Sequence, residues 1–179
     1  MAGHLQSGLS SQDLGSGQGI VKNDQALGGG MRKYVRNMRA SGLDICFVID
    51  ATGSMDAEIA SAKRRVGEMI EAFNSVEVPF RISVIKFRDR GDDFVVESEG
   101  LTQLHYKAVR FLDGVEAFGG GDTPEAVYDA LKAATTKLRW SSKAKRVIVL
   151  VGHGPPHDKN VKRMMNTVKD FARKGGTIH

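Results

Sequence analysis

The sequence contains little cysteine, few aromatic residues and no long hydrophobic run. Its 179 residues include one cysteine, Cys46, so an intramolecular disulfide is excluded, and its place in an apolar stretch predicts a buried, inert thiol. The longest apolar run, Val147–Val151, is far too short to cross a bilayer. The first residues lack a basic segment followed by an apolar one, so we predict no secretory signal. These absences favour a cytoplasmic protein without a membrane partner.

The positive charge does not form a pattern typical of nucleic-acid binding. The net charge is +5, but the basic residues occur in short groups without interleaved aromatic residues. Aromatic residues make up only 7% of the chain, and the one tryptophan, Trp140, stands alone. We therefore predict a solvated basic surface, with nucleic-acid binding as the less favoured alternative.

Composition divides the chain into three parts. Residues 1–30 are rich in glycine and serine and lack apolar periodicity, which predicts a flexible leader. Residues 31–41 predict a short amphipathic helix, and residues 42–179 predict one domain. The apolar residues at helical spacing in the second part are Met31, Tyr34, Val35 and Met38.

Strand and helix patterns alternate from Leu43 onwards. The runs "LDICFVID", "FRISVIKF" and "RVIVLV" predict strands buried on both faces, and "FVVES" predicts a short antiparallel edge strand. Amphipathic helical patterns separate them, and the chain ends in what reads as one more strand. This order predicts an α/β fold, a Rossmann-like three-layer sandwich with a mainly parallel sheet.

Three polar loops are expected at the carboxyl edge of this sheet, where ligands bind in open α/β folds. They are "DATGS", "GGGDTPE" and "GHGPPH". For the first, we expect one of its Asp, Thr and Ser residues to cap the following helix, but a cap explains one residue and not three. The sequence contains neither G-x-G-x-x-G nor G-x-x-x-x-G-K-[ST], the motifs that would indicate a phosphate cradle. It also lacks the G-x-S-x-G elbow that would indicate a serine nucleophile.

A metal site explains more of the first loop. In D-x-T-x-S, alternate residues of an extended loop point the same way, so Asp50, Thr52 and Ser54 can present three oxygens to one point. Mg²⁺ and Mn²⁺ prefer oxygen ligands, but three are too few. The second loop offers further oxygen donors: Asp122, Thr123 and Glu125.

These motifs resemble those of von Willebrand factor type A (vWA) domains. "FVIDATGSM" is similar to the D-x-[ST]-x-S of the family's metal-ion-dependent adhesion site (MIDAS), and "FGGGDTPEAV" looks like its second loop, especially in α-protein kinases and bacterial relatives. The resemblance covers about residues 43–179. It implies that Asp50, Thr52 and Ser54 are metal ligands.

The second and third loops depart from the common family pattern. The position aligned with the family's usual threonine is Gly121, while "DTPE" resembles a version in which the glutamate, here Glu125, is the ligand. Asp122 and Thr123 lie beside it. His153 stands where the family usually has an aspartate, which predicts weak Mg²⁺ binding and relatively better Mn²⁺ or Zn²⁺ binding.

The resemblance implies a function without catalysis. Nothing in the sequence supplies a general base beside a nucleophile, so we predict no enzyme. We expect a divalent-cation-dependent protein-interaction module, in which an acidic side chain of a protein partner completes the metal sphere. The alternative is a regulatory or docking domain of a larger enzyme such as an α-protein kinase.

Three further predictions concern packing. The resemblance implies that the last helix of the family's fold is missing, which would expose one sheet face unless the helix at 31–41 covers it. Asp44, at a strand start, is predicted to be a solvated edge residue. "RDRGDD" is predicted to form a charged turn around Gly91.

Overall fold

The computed structural model describes residues 28–120, 126–152 and 158–179. Most of the predicted leader lies outside these ranges. The helices, in chain order, are α1 (Gly29–Ser41), α2 (Asp56–Ser75), α3 (His105–Asp113), α4 (Val127–Thr136) and α5 (Asp158–Arg173). The strands are β1 (Leu43–Asp50), β2 (Phe80–Phe87), β3 (Val96–Thr102), β4 (Lys145–Val151) and β5 (Gly176–Ile178).

The five strands form one sheet in the order β3-β2-β1-β4-β5. β1 pairs in parallel with β2 and β4, and β5 pairs in parallel with β4. Only β3, at one edge, is antiparallel, and it runs from Val96 to Thr102 rather than from Phe94 as the sequence suggested. The predicted α/β fold is confirmed, with its mainly parallel sheet and antiparallel edge strand.

Helices cover both faces of the sheet, as the uninterrupted apolar strands predicted. Alternate residues of β1 point to opposite faces, so Ile45 and Ile49 pack with α1, α2 and α3, whereas Cys46 and Val48 pack with α4 and α5. All eight residues of β1 are buried. The central strand therefore ends with Asp50 inside the fold, at the carboxyl edge.

The helix α1 covers part of one sheet face. Val35 and Met38 are buried there, so α1 belongs to the core that includes β1 and α2. A groove of about 620 Å³ remains beside it, lined mainly by apolar side chains that include Tyr34, Phe73 and Val149. Within the described residues, no helix has the length and apolar character needed to cross a bilayer.

The prediction that Asp44 is solvated is wrong. Its side chain is buried, and its carboxylate accepts hydrogen bonds from Arg81 Nε (2.8 Å), Arg81 Nη2 (2.6 Å) and the Ser141 backbone N–H (2.7 Å). Arg81 Nη2 also donates to the Arg139 carbonyl. This ion pair lies at the end of the sheet opposite to Asp50.

Candidate functional site

The first polar loop begins where β1 ends. Asp50 and Thr52 are buried, with 1% and 3% exposure. Oδ1 of Asp50 accepts hydrogen bonds from the backbone N–H (3.0 Å) and the Oγ1 hydroxyl (2.7 Å) of Thr52. The loop thus folds back on the carboxylate and brings two side-chain oxygens together. Ser54, the third residue of the motif, is exposed on the same loop.

No residue of the D-x-T-x-S motif occupies the N-cap position of α2. The N-cap is Met55, which makes no side-chain capping hydrogen bond, while Asp56 and Glu58 lie in the first turn, where they complement the helix dipole. The expectation that one of the three motif residues would take the cap is wrong. Asp50 and Thr52 instead bond to each other.

The described part of the second polar loop, residues 118–120, is called the glycine loop here. It lies directly against the D-x-T-x-S loop. The Gly53 N–H donates to the Gly119 carbonyl (3.0 Å), and the Phe118 N–H donates to the Ala51 carbonyl (3.0 Å). Gly120 has φ +74°, and a Cβ built on it would lie 2.9 Å from Cβ of Thr52. A glycine is required here because a larger residue would displace Thr52.

The end of β4 forms another wall of the site. Gly152 follows Val151, and a Cβ built on it would lie 3.1 Å from Cβ and 3.4 Å from Oδ2 of Asp50. The structure therefore brings two further chain segments to Asp50 and Thr52, at Gly120 and Gly152. Five predicted site residues or their neighbours lie outside the described residues: Gly121, Asp122, Thr123, Glu125 and His153.

Two residues of the β2–β3 connection support the site, and sequence reasoning missed both. Arg88 donates from Nε to the Ala51 carbonyl (3.1 Å) and from Nη2 to the Glu116 carbonyl (3.1 Å). Asp92 Oδ2 accepts from the Gly120 N–H (3.0 Å). The sequence marked this segment only as a charged turn, because the partners are 28 to 37 positions away.

The turn itself agrees with the sequence analysis. Gly91 has φ +113°, a backbone conformation that favours glycine. Arg90 Nη2 donates to Asp129 Oδ2 (2.8 Å) on α4, and this hydrogen bond raises the pKa of Arg90 above its usual value. The "RDRGDD" charges are thus engaged with α4 and with the glycine loop.

The described oxygens suit a hard cation. Ligands of Mg²⁺ lie about 2.1 Å from the ion in octahedral geometry, so neighbouring ligands are about 3 Å apart. The 2.7 Å between Asp50 Oδ1 and Thr52 Oγ1 is close to this spacing. In the described residues, no cluster of three or more His, Cys, Asp or Glu side chains could hold a metal. Hydroxyl oxygens and further residues would have to complete a coordination sphere.

The thiol of Cys46 does not supply a nucleophile. It is fully buried in the core on the α4 and α5 side, as the sequence predicted. Burial raises the pKa of the thiol to about 12, so it stays protonated at neutral pH.

Comparison with known proteins identifies the fold. A family model described as von Willebrand factor A domain matches residues 44–175. The chain is 30% identical over 136 residues to an ariadne-like RING finger protein of Acanthamoeba polyphaga mimivirus, which covers 76% of this chain and 13% of that protein. It is 28% identical over 126 residues to alpha-protein kinase vwkA of Dictyostelium discoideum, covering 64% and 19%. The chain thus spans less than a quarter of either relative.

Solved structures agree on the architecture. The conserved hypothetical protein BatB from Bacteroides thetaiotaomicron has a TM-score of 0.57 at 17% identity, covering 76% of this chain and 64% of that chain. The pilus adhesin SpaC from Lactobacillus rhamnosus GG has a TM-score of 0.52 at 17% identity, covering 64% and 16%. Since the family model matches most of its length, the chain belongs to the von Willebrand factor A domain family.

Proposed function

We propose that this domain is a non-catalytic protein-interaction module that holds a divalent cation at the carboxyl edge of its sheet. Membership of the vWA family supports a protein-interaction module in general. The observation that carries the metal dependence is the buried pair of oxygens, Asp50 Oδ1 and Thr52 Oγ1, 2.7 Å apart. The cation would be Mg²⁺ or Mn²⁺, and it would offer a positive charge to a carboxylate of the protein partner.

The hydrogen bond between the two residues prepares them for this role. A hydroxyl has one hydrogen and two acceptor lone pairs, so Thr52 can donate to Asp50 and still offer its oxygen to an ion. Asp50 supplies a negative charge and fixes the direction of the hydroxyl. We propose that Ser54, Asp122, Thr123 and Glu125 add oxygen donors, with Glu125 as the second carboxylate.

Removal of one hydroxyl tests the site. In Thr52→Val, which nearly keeps the shape, we expect Mn²⁺ affinity measured by isothermal titration calorimetry to fall at least about ten-fold. Thr52→Ser, which keeps the hydroxyl, should stay close to the unmodified domain. Equal Mn²⁺ affinity in the valine variant, or no Mn²⁺ binding by the unmodified domain, would contradict the proposal.

Asp92 provides a second prediction about the same site. Its carboxylate accepts a hydrogen bond from the Gly120 N–H, and the Gly120 backbone packs against Thr52. In Asp92→Ala we expect Mn²⁺ affinity to fall about five-fold, because ordered outer contacts commonly contribute this much or more. Asp92→Asn keeps an acceptor oxygen and should recover most of the loss. If the asparagine and alanine variants bind equally weakly, the charge of Asp92 matters rather than its hydrogen bond.

The alternative function is a regulatory or docking domain of a larger enzyme. The relatives support it, because the matching region makes up only 19% of a protein named as an α-protein kinase and 13% of one named as a RING finger protein. The complete open reading frame tests this proposal. A catalytic domain on the same polypeptide would support it, and a reading frame that encodes no catalytic domain would contradict it.

A further inference from the structure

An exposed aromatic side chain stands beside the candidate metal loop. Phe118 is 67% exposed, the highest value among the large apolar side chains of the described residues. Its backbone N–H donates to the carbonyl of Ala51 (3.0 Å), the residue between Asp50 and Thr52. The next residue, Gly119, accepts a hydrogen bond from Gly53. The backbone of Phe118 is therefore fixed to the loop that carries the two oxygens.

The ring of Phe118 packs against the positively charged guanidinium of Arg88. The Arg88 guanidinium carbon lies 5.5 Å from the centroid of Phe118 and 4.7 Å from that of Phe94, within the range of cation–π contacts. Arg88 is 9% exposed, and its nitrogens are bonded to the carbonyls of Ala51 and Glu116. Arg88 thus gives the Phe118 ring a fixed neighbour on one side, while most of the ring surface faces solvent.

An exposed aromatic ring with such a neighbour is a typical contact of a protein interface. Rigid aromatic side chains bury much apolar surface at a small cost in conformational entropy, and they are enriched among interface residues that contribute most to affinity. Nothing in the packing of the core requires Phe118 to be apolar, because its ring lies outside both core clusters.

We propose that Phe118 selects partners in which an apolar side chain lies near the acidic one. This inference rests on the proposed function, since the partner's carboxylate would bind the cation that Asp50 and Thr52 hold. The Phe118 backbone is hydrogen-bonded to Ala51, between the two residues that carry the oxygens, so we place the partner's apolar residue within a few positions of its acidic one, each position adding about 3.3 Å of extended peptide. The partner is thus a protein segment that combines one acidic with one neighbouring apolar residue.

A peptide array tests the proposal directly. The probes are alanine- and serine-based peptides with one central aspartate or glutamate, in which a single leucine is moved through the flanking positions. Binding of the labelled domain is measured in MnCl2 and in EDTA. With the unmodified domain we expect a leucine near the acidic residue to raise Mn²⁺-dependent binding about five-fold.

Two variants separate the possible outcomes. Phe118→Ser should remove the preference for leucine while the acidic residue and Mn²⁺ stay necessary. Tyr106→Ser is the matched control, because Tyr106 is 56% exposed and also lies near an arginine, Arg110, but on α3. It should keep the leucine preference. Thermal unfolding by circular dichroism verifies that both variants are folded.

The array distinguishes this inference from the function on which it rests. An unchanged leucine preference in Phe118→Ser, with the acidic requirement intact, overturns the role of Phe118 alone. Binding that needs neither Mn²⁺ nor an acidic residue overturns the proposed function and this inference together. An equal loss of leucine preference in Tyr106→Ser also overturns the role of Phe118, because the effect would not be specific to the metal loop.

Discussion

Replacement of Arg81 by methionine is expected to lower the free energy of unfolding by about 3 kcal/mol or more. Asp44 is 2% exposed, and Arg81 donates two of the three hydrogen bonds described for its carboxylate, at 2.8 and 2.6 Å. Without Arg81 the carboxylate stays buried with the Ser141 N–H as its remaining described donor. An uncompensated buried charge is among the largest single-residue penalties in a folded protein.

Urea unfolding followed by circular dichroism measures this loss. The matched control is Arg173→Ala, since Arg173 pairs with Asp170 at 3.0 Å but both side chains are exposed, at 76% and 61%. That variant should lose at most about 0.5 kcal/mol. The double variant Asp44→Asn, Arg81→Met should recover part of the stability, because the unpaired charge is gone. A loss in Arg81→Met no larger than in the control would contradict the prediction.

The same variant separates stability from binding. Asp44 lies near the start of β1 and Asp50 at its end, so the ion pair and the candidate metal site occupy opposite edges of the sheet. Under conditions where Arg81→Met is still folded, its Mn²⁺ affinity should equal that of the unmodified domain. A fall in affinity would mean that the ion pair also determines the position of Asp50.

Local sequence patterns predicted the elements of this fold well. The buried strand β1 follows from an uninterrupted apolar run, the amphipathic α2 from helical spacing, and the edge strand β3, though not its bounds, from the turn before it. These signals involve neighbouring residues only. The D-x-T-x-S motif is also local. Asp50 and Thr52 lie close together in space because only one residue separates them in the sequence.

Contacts between residues far apart in the sequence could not be predicted from local patterns. Asp44 at a strand start looked solvated because Arg81 is 37 positions away and Ser141 is 97 positions away. Likewise, Asp92 is 28 positions from Gly120, so its carboxylate appeared only as turn chemistry. The residues Asp122, Thr123 and Glu125 remain predictions from the resemblance, since they lie outside the described residues.

Gly120→Ala is expected to weaken Mn²⁺ binding at least about 30-fold, equivalent to about 2 kcal/mol. The added Cβ would lie 2.9 Å from Cβ and 3.1 Å from Cγ2 of Thr52, closer than side-chain carbons pack. Thr52 is 3% exposed and bonded to Asp50, so it cannot yield without moving its hydroxyl. A shift of a few tenths of an ångström is enough to spoil the near-ideal geometry that small divalent cations require.

Gly175→Ala provides the matched control for this prediction. Gly175 also has a positive φ, +81°, but no heavy atom of the described residues, apart from its chain neighbours, lies within 4 Å of the position its Cβ would take. It directly precedes β5, at the opposite end of the sheet from Asp50. It therefore tests backbone strain without a clash, and it should lower the free energy of unfolding by about 1 kcal/mol while Mn²⁺ affinity stays the same. Calorimetric titration of both variants with MnCl2, at a temperature where both are folded, measures the difference. Unchanged affinity in Gly120→Ala would show that Thr52 is not a ligand, and an equal loss in Gly175→Ala would assign the effect to backbone strain rather than to contact with Thr52.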